Sequence, residues 1–473
     1  MFFGRHEEIR QLIQLTNKRV ASLVVIKGRR RIGKSSLINE FGKNFGKYHR
    51  FEGLAPQKNT TNADQLKTFA EQFSRNFALP TVAFHSWSEA FENLAKQVKS
   101  GRTLVLLDEI SWMGSRDAKF PGLLKQAWDM YLKQNDKLIL VLCGSVSSWI
   151  EDNILNHTQF VGRVSLVIRL QELELNEVGK FWGSRFERLN RKEILEILSV
   201  TGGFPKYLEE VDSRESADQN IKRLCYQQGG YLFEDFDRIF SDIFGRRSKS
   251  YLKIIRGLMK DKMTATELAT RVKMPSNGIF LGYLRDLQES GFIARSENYN
   301  LVTGAAGLAR YRISDNYLRF YLKYIEPFKE QITKELFKFN KLADLISWPT
   351  IAGFQFENLI LNRIPAIIQA MNLGNEAIVS AEPYVQRQTA KRPGCQIDLL
   401  IVCKRALIYP CEIKFQDEIK PSVVREMEAK LSRMKLPKNT AVRPVLMYAG
   451  ELAPEVLEAD YFDRILDLGT MLE

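Results

Sequence analysis

The sequence predicts a multidomain α/β chain: a parallel sheet covered by helices, then a helical lid, a winged helix and a second, smaller α/β core. Three observations lead there. Apolar runs suited to buried strands occur in VASLVVIK ahead of residue 28, in TLVLLDEI at 103–110 and in KLILVLCGS at 137–145, with amphipathic sequence such as SEAFENLAKQVKS between them. Strands apolar on both faces and separated by helices belong to parallel sheets with both faces covered. From residue 245, SYLKIIRGLMK, TATELAT and SNGIFLGYLRDLQESGFIARS read as three helices leading to a return strand, ARYRISD, which is the pattern of a winged helix. From residue 345, a helix (FQFENLILNRIPAII) precedes two strands in GCQIDLLIVCKRALIYPCEIKFQ, another helix (VVREMEAKLSRM) and a strand (VRPVLMYAG).

These changes of pattern set the divisions at 1–170 for the sheet core, 171–240 for the lid, 245–330 for the winged helix and 345–460 for the second core. The 473 residues allow about three domains at the usual domain size. A hydrophobic share of 45% with 26% charged residues is that of a folded chain, which excludes a disordered polymer or a fibre. Subtracting 56 acidic from 69 basic residues leaves +13, a balance that favours a polyanionic partner. Cys143, Cys225, Cys395, Cys403 and Cys411 form no CxxC pair, and His6, His49, His85 and His157 show no ligand spacing, so a cytoplasmic chain with reduced, buried thiols is expected. The start, MFFGRHEEIRQL, lacks the apolar stretch of a signal peptide, and no run is long enough to insert in a membrane.

Gly28 to Ser35 reads GRRRIGKS and matches G-x-x-x-x-G-K-[ST] between a strand and a helix, the setting a phosphate-binding P-loop requires. Gly28 and Gly33 let the segment Arg29, Arg30, Arg31 and Ile32 curl so that backbone amides point inward, and the helix start at Ser35 and Ser36 adds to the same field. Lys34 is expected on the β- and γ-phosphates of ATP and the Ser35 hydroxyl on Mg²⁺. Asp108 and Glu109 close the second apolar run: Asp108 as metal ligand, directly or through water, and Glu109 as general base toward the attacking water. Ser145, at the end of the third run, either senses the γ-phosphate or caps a helix.

FFGRHEEIRQL, the P-loop, LVLLDEI, LCGS and the Gly162-Arg163 pair together resemble the archaeal-type ATPases of the signal-transducing (STAND) branch of the AAA+ superfamily, over roughly residues 1–235. The resemblance implies a P-loop NTPase fold. It also implies that Gly4, Arg5 and Glu7 border the adenine, that Arg163 contacts the γ-phosphate in cis or from a neighbouring subunit, and that TGGFPKYL is a lid segment bringing Lys206 to the nucleotide.

Asp398, Glu412 and Lys414 form D-x13-E-x-K on two consecutive strands. Alternation puts Glu412 and Lys414 on one face, and a short turn returns their strand beside Asp398, so two acids and a lysine converge, with Glu357 on the preceding helix to complete the set. Such a cluster either binds Mg²⁺ and directs water at a phosphodiester or is a cross-strand ion pair of an exposed sheet. Spacing and element order resemble the restriction-endonuclease-like superfamily over about 350–450. The resemblance implies Asp398 and Glu412 as metal ligands, Lys414 as catalytic lysine, Glu357 as auxiliary acid and Gln396 beside the site.

The expectation is therefore an ATP- and Mg²⁺-dependent ATPase coupled through a winged helix to a metal-dependent DNA nuclease domain. The alternative is a nucleotide-controlled switch whose C-terminal domain binds DNA or protein without catalysis. DNA, a second copy of the chain or a regulatory protein are the partners these readings call for. The helix at 275–289 holds a single basic residue, Arg285, against two acids, which counts against a reader of DNA by that helix alone.

Overall fold

The computed structural model describes residues 2–55, 57, 59–145, 147–183, 190–244, 247–390 and 393–473. It divides into two compact units between Glu172 and Leu173. Gly245, where the three-helix pattern begins in the sequence, lies outside the described residues.

The first unit is a five-stranded parallel sheet in the order β2-β3-β4-β1-β5, made of β1 (Ser22–Lys27), β2 (Lys47–Glu52), β3 (Thr103–Asp108), β4 (Leu138–Gly144) and β5 (Val164–Arg169). The three interior strands are the three apolar runs, and every residue in them is buried. The two edge strands, KYHRFE and VSLVIR, were not expected, because an edge strand keeps polar side chains in water and shows no continuous apolar run. One face of the sheet is closed by an aromatic cluster in which Phe69 stacks on Phe51 and Trp87 meets Phe69, Phe91 and Phe120. Because β4 is inserted between β1 and β3, the ends of β3 and β4 both open beside the loop that follows β1.

The second unit contains a mixed sheet in the order β13-β12-β10-β9-β8, with β11 on β10, and a separate two-stranded ribbon. The ribbon is β6 (Ile293–Tyr299) against β7 (Ala306–Ile313), and it follows helices Ser248–Gly257, Ala265–Arg271 and Gly278–Glu289. The sheet comprises β8 (Ile378–Gln386), β9 (Cys395–Cys403), β10 (Leu407–Ile419), β11 (Ala441–Val442), β12 (Val445–Leu452) and β13 (Arg464–Asp467). β9 and β10 form a hairpin whose turn holds Arg405 and Ala406 at φ 64° and 54°.

The helical tract expected as a lid shares its core with this sheet. Leu173, Val178, Leu195 and Leu198 pack in one cluster with Phe356 and Leu359 of the Trp348–Leu361 helix and with Leu399, Ile401, Val445 and Met447 of the strands. An amphipathic pattern states that a face must be covered, and not by which element. A buried polar seam joins the same segments. Asn358 Nδ2 donates to Ile313 O (2.9 Å) and Asn316 Oδ1 (3.0 Å), Asn316 Nδ2 donates to Gln355 O (3.0 Å) and Leu198 O (3.3 Å), and Gln355 Nε2 returns a bond to Asn316 O (2.7 Å). Arg312 donates to Asn358 and Asn362, and Arg363, buried, holds Leu173 O through Nε and Nη2.

Asn358→Ala should destabilise the second unit by about 3 kcal/mol, because it leaves buried partners of Asn358 unbonded. Denaturant unfolding followed by circular dichroism checks this, and a change within error of zero would show that the seam does not hold the segments together.

Candidate nucleotide site and a second acidic cluster

β1 ends at Lys27 and the chain turns through Gly28 (φ 153°), Arg31 (φ 71°) and Gly33 (φ 92°) into the Lys34–Gly42 helix. A side chain at Gly28 would bring Cβ to 2.7 Å from Leu170 O, so that position must be glycine for the loop to pass β5. Lys34 is buried and its Nζ donates across the loop to Gly28 O (2.9 Å) and Arg29 O (3.1 Å). Ile32 and Arg29 are buried, Arg30 lies over the Trp112 ring at 5.9 Å, and Ser36 is exposed at the helix start.

Ser35 Oγ donates to Asp108 Oδ2 at 2.7 Å, and an Arg50 amino group donates to the same oxygen at 2.8 Å. The Ser35 and Asp108 oxygens are hard donors of the kind Mg²⁺ takes, with one carboxylate among them, so the pair fits that ion. Glu109 stands in the left-handed region (φ 49°), and its Oε2 accepts from Ser145 N (3.1 Å) and Ser145 Oγ (2.9 Å). The Ser145 hydroxyl is thus engaged by the candidate base. Gly53 passes under this strand end, its N–H donating to Asp108 O at 2.9 Å.

Gly4 (φ 65°) and Arg5 (φ 62°) precede the first helix, and the buried Arg5 guanidinium donates to Ile32 O (3.2 Å) and Gln171 O (2.6 Å), tying this segment to the P-loop. Glu7 instead faces outward and is bound by Arg10 and Gln11 of its own helix. Arg163 directly precedes β5, whose first residue, Val164, pairs with Leu23, whereas the P-loop follows the opposite end of β1 at Lys27. Asp129 spans its guanidinium at 2.8–3.1 Å, and Arg163 in turn holds the Asp129 carboxyl well below the usual carboxylate range. Contact with a γ-phosphate in cis does not fit that placement. Lys206, in the second unit, is held by Glu210 (2.8 Å) and Glu209 (3.1 Å) and lies over the Tyr231 ring.

Residues 2–211 match the model of an ATPase domain found predominantly in Archaea. This stretch is a P-loop ATPase domain. An uncharacterized protein of Methanocaldococcus jannaschii is 27% identical over 365 residues, covering 76% of each chain. Among solved structures, a Walker-type ATPase of Pyrococcus abyssi is similar at 18% identity and a TM-score of 0.48, over 68% of this chain and 96% of that one. The ORC2 protein of Aeropyrum pernix, solved with ADPNP and ADP, is similar at 16% identity and a TM-score of 0.41, over 69% and 91%. Neither score reaches 0.5, and the ATPase domain rests on the family match and the loop geometry.

In the second unit, pairing of Leu399 with Cys411 brings Asp398 beside Glu412, and Asp398 Oδ2 accepts from Ile413 N at 3.0 Å. Glu412 is 2% exposed and lies between Lys414 (3.1 Å) and Lys430. Lys414 also reaches Glu426 at 2.7 Å; burial works against its ammonium, and the two glutamates outweigh burial and raise its pKa. Burial pushes the Asp398 carboxyl up, Lys430 opposes that, and the nearby Glu357 charge adds to it. Glu357 itself is buried and ion-paired with Lys262. Among the described residues no three acidic, histidine or cysteine side chains are grouped to hold one metal. Asp398 and Glu412 remain a two-carboxylate donor set, and oxygen donors of that number fit Mg²⁺, which keeps several waters.

Sequence reading missed four partners: Arg50, Gly53, Lys262 and Lys430. Arg50 sits in the unrecognised edge strand, and Lys262 is brought in by the tertiary fold. Lys430 had a usable signal, since Glu426 and Lys430 share one face of the Ser422–Arg433 helix. All five cysteines are buried and free.

Gly53→Ala would place Cβ 2.7 Å from Glu109 O and 3.1 Å from Met113 N. ATP turnover should fall about 10- to 100-fold through displacement of Asp108 and Glu109, with a lowered melting temperature because the methyl group overpacks backbone atoms; full turnover would show that this strand end tolerates movement. Lys430→Met should cost about 2 kcal/mol of stability, since Glu412 keeps only one of its cations, as read by thermal unfolding.

Proposed function

We propose that the chain is a Mg²⁺-dependent ATP hydrolase that controls a DNA-directed second unit bearing a metal-dependent phosphodiester site. The observation that carries the first half is the contact of Ser35 with Asp108, with Glu109 held at the same strand end by Ser145. Mg²⁺ would be held by Ser35 and Asp108, and when bound it neutralises charge on the phosphate oxygens. Lys34 leaves the carbonyls of Gly28 and Arg29 for the β- and γ-phosphates, and the amides of residues 28–36 supply further donors. Glu109 releases Ser145, orients water and takes its proton at a carboxylate oxygen. Gly4 and Arg5 border the base, and Arg163, freed from Asp129, serves a neighbouring subunit's nucleotide; the ATPase-domain match over 2–211 supports a nucleotide-binding reading of this stretch.

For the second unit, the meeting of Asp398 with Glu412 and Lys414 supports a nuclease of the restriction-endonuclease-like kind. Asp398 and Glu412 would hold Mg²⁺, Lys414 orients water, and Glu357 assists from the side. The helices at 248–289 with the β6–β7 ribbon are read as the winged helix, and the net charge of +13 supports a DNA partner. A second reading, a switch whose C-terminal unit binds without cutting, is favoured by one observation: both Glu357 and Glu412 are already neutralised by lysines.

Lys34→Ala should abolish nucleotide binding, and Glu109→Gln should retain it while slowing hydrolysis by about 10²–10⁴-fold, measured by equilibrium binding and phosphate release. Supercoiled and linear DNA incubated with Mg²⁺ or Mn²⁺, with and without ATP, should be cut by the wild type and not by Asp398→Ala. Absence of cutting by the wild type, with ATP turnover intact, would favour the switch.

A further inference from the structure

A cleft of about 180 Å³ in the second unit is lined by Lys260 and Lys262 of the loop before the Ala265–Arg271 helix, by Arg310 and Arg312 of β7, and by Arg319 of the Asn316–Phe320 helix. Glu357 and Gln396 form the opposite part of its lining. The acids cancel this charge only in part, and Arg310 is also ion-paired with Glu267 at 3.5 Å. Glu357 is taken by Lys262, and the other acid of the lining, Asp261, is bound by Arg271 at 2.8 Å.

Arg319 is the informative member. It is 5% exposed, it spends one amino group on Ile313 O at 3.1 Å, and its guanidinium lies over the Phe354 ring at 5.2 Å. Its Nε has no hydrogen-bond partner, and no carboxylate pairs with it among the described residues. Burial lowers its pKa to about 10, with the Arg312 charge adding to the effect and Glu357 opposing it, so at neutral pH it remains a cation. A desolvated guanidinium without an anion is costly unless an anion arrives. Guanidinium groups recognise phosphate oxygens through directed, charge-assisted bonds. The volume lies below the ~300–1,000 Å³ of pockets that enclose a whole ligand, which suits a single group at the end of a larger molecule.

We infer that this cleft is a phosphate-ester site, at which a terminal phosphate enters against Arg310 and Arg319 beside Glu357. The inference deepens the nucleic-acid-directed reading of the second unit and rests on it for the source of the phosphate. It makes a strand end, rather than the interior of a duplex, the part of a nucleic acid engaged here.

The test uses the full chain carrying Lys34→Ala, so that the P-loop adds nothing, in EDTA, so that no cleavage occurs. Binding of a fluorescent single-stranded oligodeoxynucleotide is compared with and without a terminal phosphate, and with inorganic phosphate and a mononucleotide as competitors. The phosphorylated strand should bind about tenfold more tightly than the unphosphorylated one, the value of one charge-assisted contact, and Arg310→Gln should remove the difference. Arg319→Lys should reduce it. Should Arg319→Lys fail to fold, the less buried Arg310→Gln carries the test alone. Competition by phosphate and mononucleotide without any preference between the two strands would support the phosphate chemistry and assign it to a free nucleotide. Equal binding of both strands with no competition by either small anion, in protein with unchanged melting, overturns the inference. The nuclease reading fails by a different result, absence of Mg²⁺-dependent cutting, which leaves phosphate-dependent binding in EDTA untouched.

Discussion

The hydrogen bonds around Asn316, Gln355 and Asn358 are the constraint on which the second unit depends. Each of these amides is almost wholly buried, and each is bonded to a segment distant in sequence: the helix ending at Thr201, the end of β7, and the Trp348–Leu361 helix. Buried amides tolerate few arrangements, because every unmade bond costs as much as a lost apolar contact. Apolar packing brings the helical tract and the mixed sheet into one core, and the amides select the register in which they meet. Three stretches that look like separate modules in the sequence therefore fold as one body.

That union shapes the chemistry of the acidic cluster. Asp398, Glu412 and Lys414 are placed by the β9–β10 hairpin, but the state of their charges is decided by groups from elsewhere, Lys430 on the following helix and Lys262 on the helical module. Removing carboxylates from water requires compensating cations, and here lysines supply them. In the same unit, the cationic cleft carries the opposite imbalance, with Arg319 buried and no acid paired to it.

The ATPase domain shows the other kind of constraint, that of backbone conformation. Gly28 and Gly33 bend the loop in regions that side chains avoid, Glu109 is held in the left-handed region, and Gly53 leaves no room for a methyl group beneath it. These positions fix where Ser35, Asp108 and Glu109 stand. Lys34 and Ser145 meanwhile spend their hydrogen bonds on the protein itself, on loop carbonyls and on Glu109.

The sequence made legible the three interior strands, the P-loop with Asp108 and Glu109, and the hairpin that joins Asp398 to Glu412, because each is local: a continuous apolar run, a fixed spacing, a short turn. It left the edge strands β2 and β5 unread, since half-exposed strands carry no continuous apolar signal, and with β2 it left Arg50 unassigned. It took the packing of distant segments to show that the helical tract shares a core with the C-terminal sheet, that Arg163 pairs with Asp129, and that Lys262 meets Glu357 across 95 residues. The physical reason is common to all three. Periodicity and spacing state that a surface must be covered or a charge compensated, while the partner that does so is chosen by the packing of segments far apart in the chain.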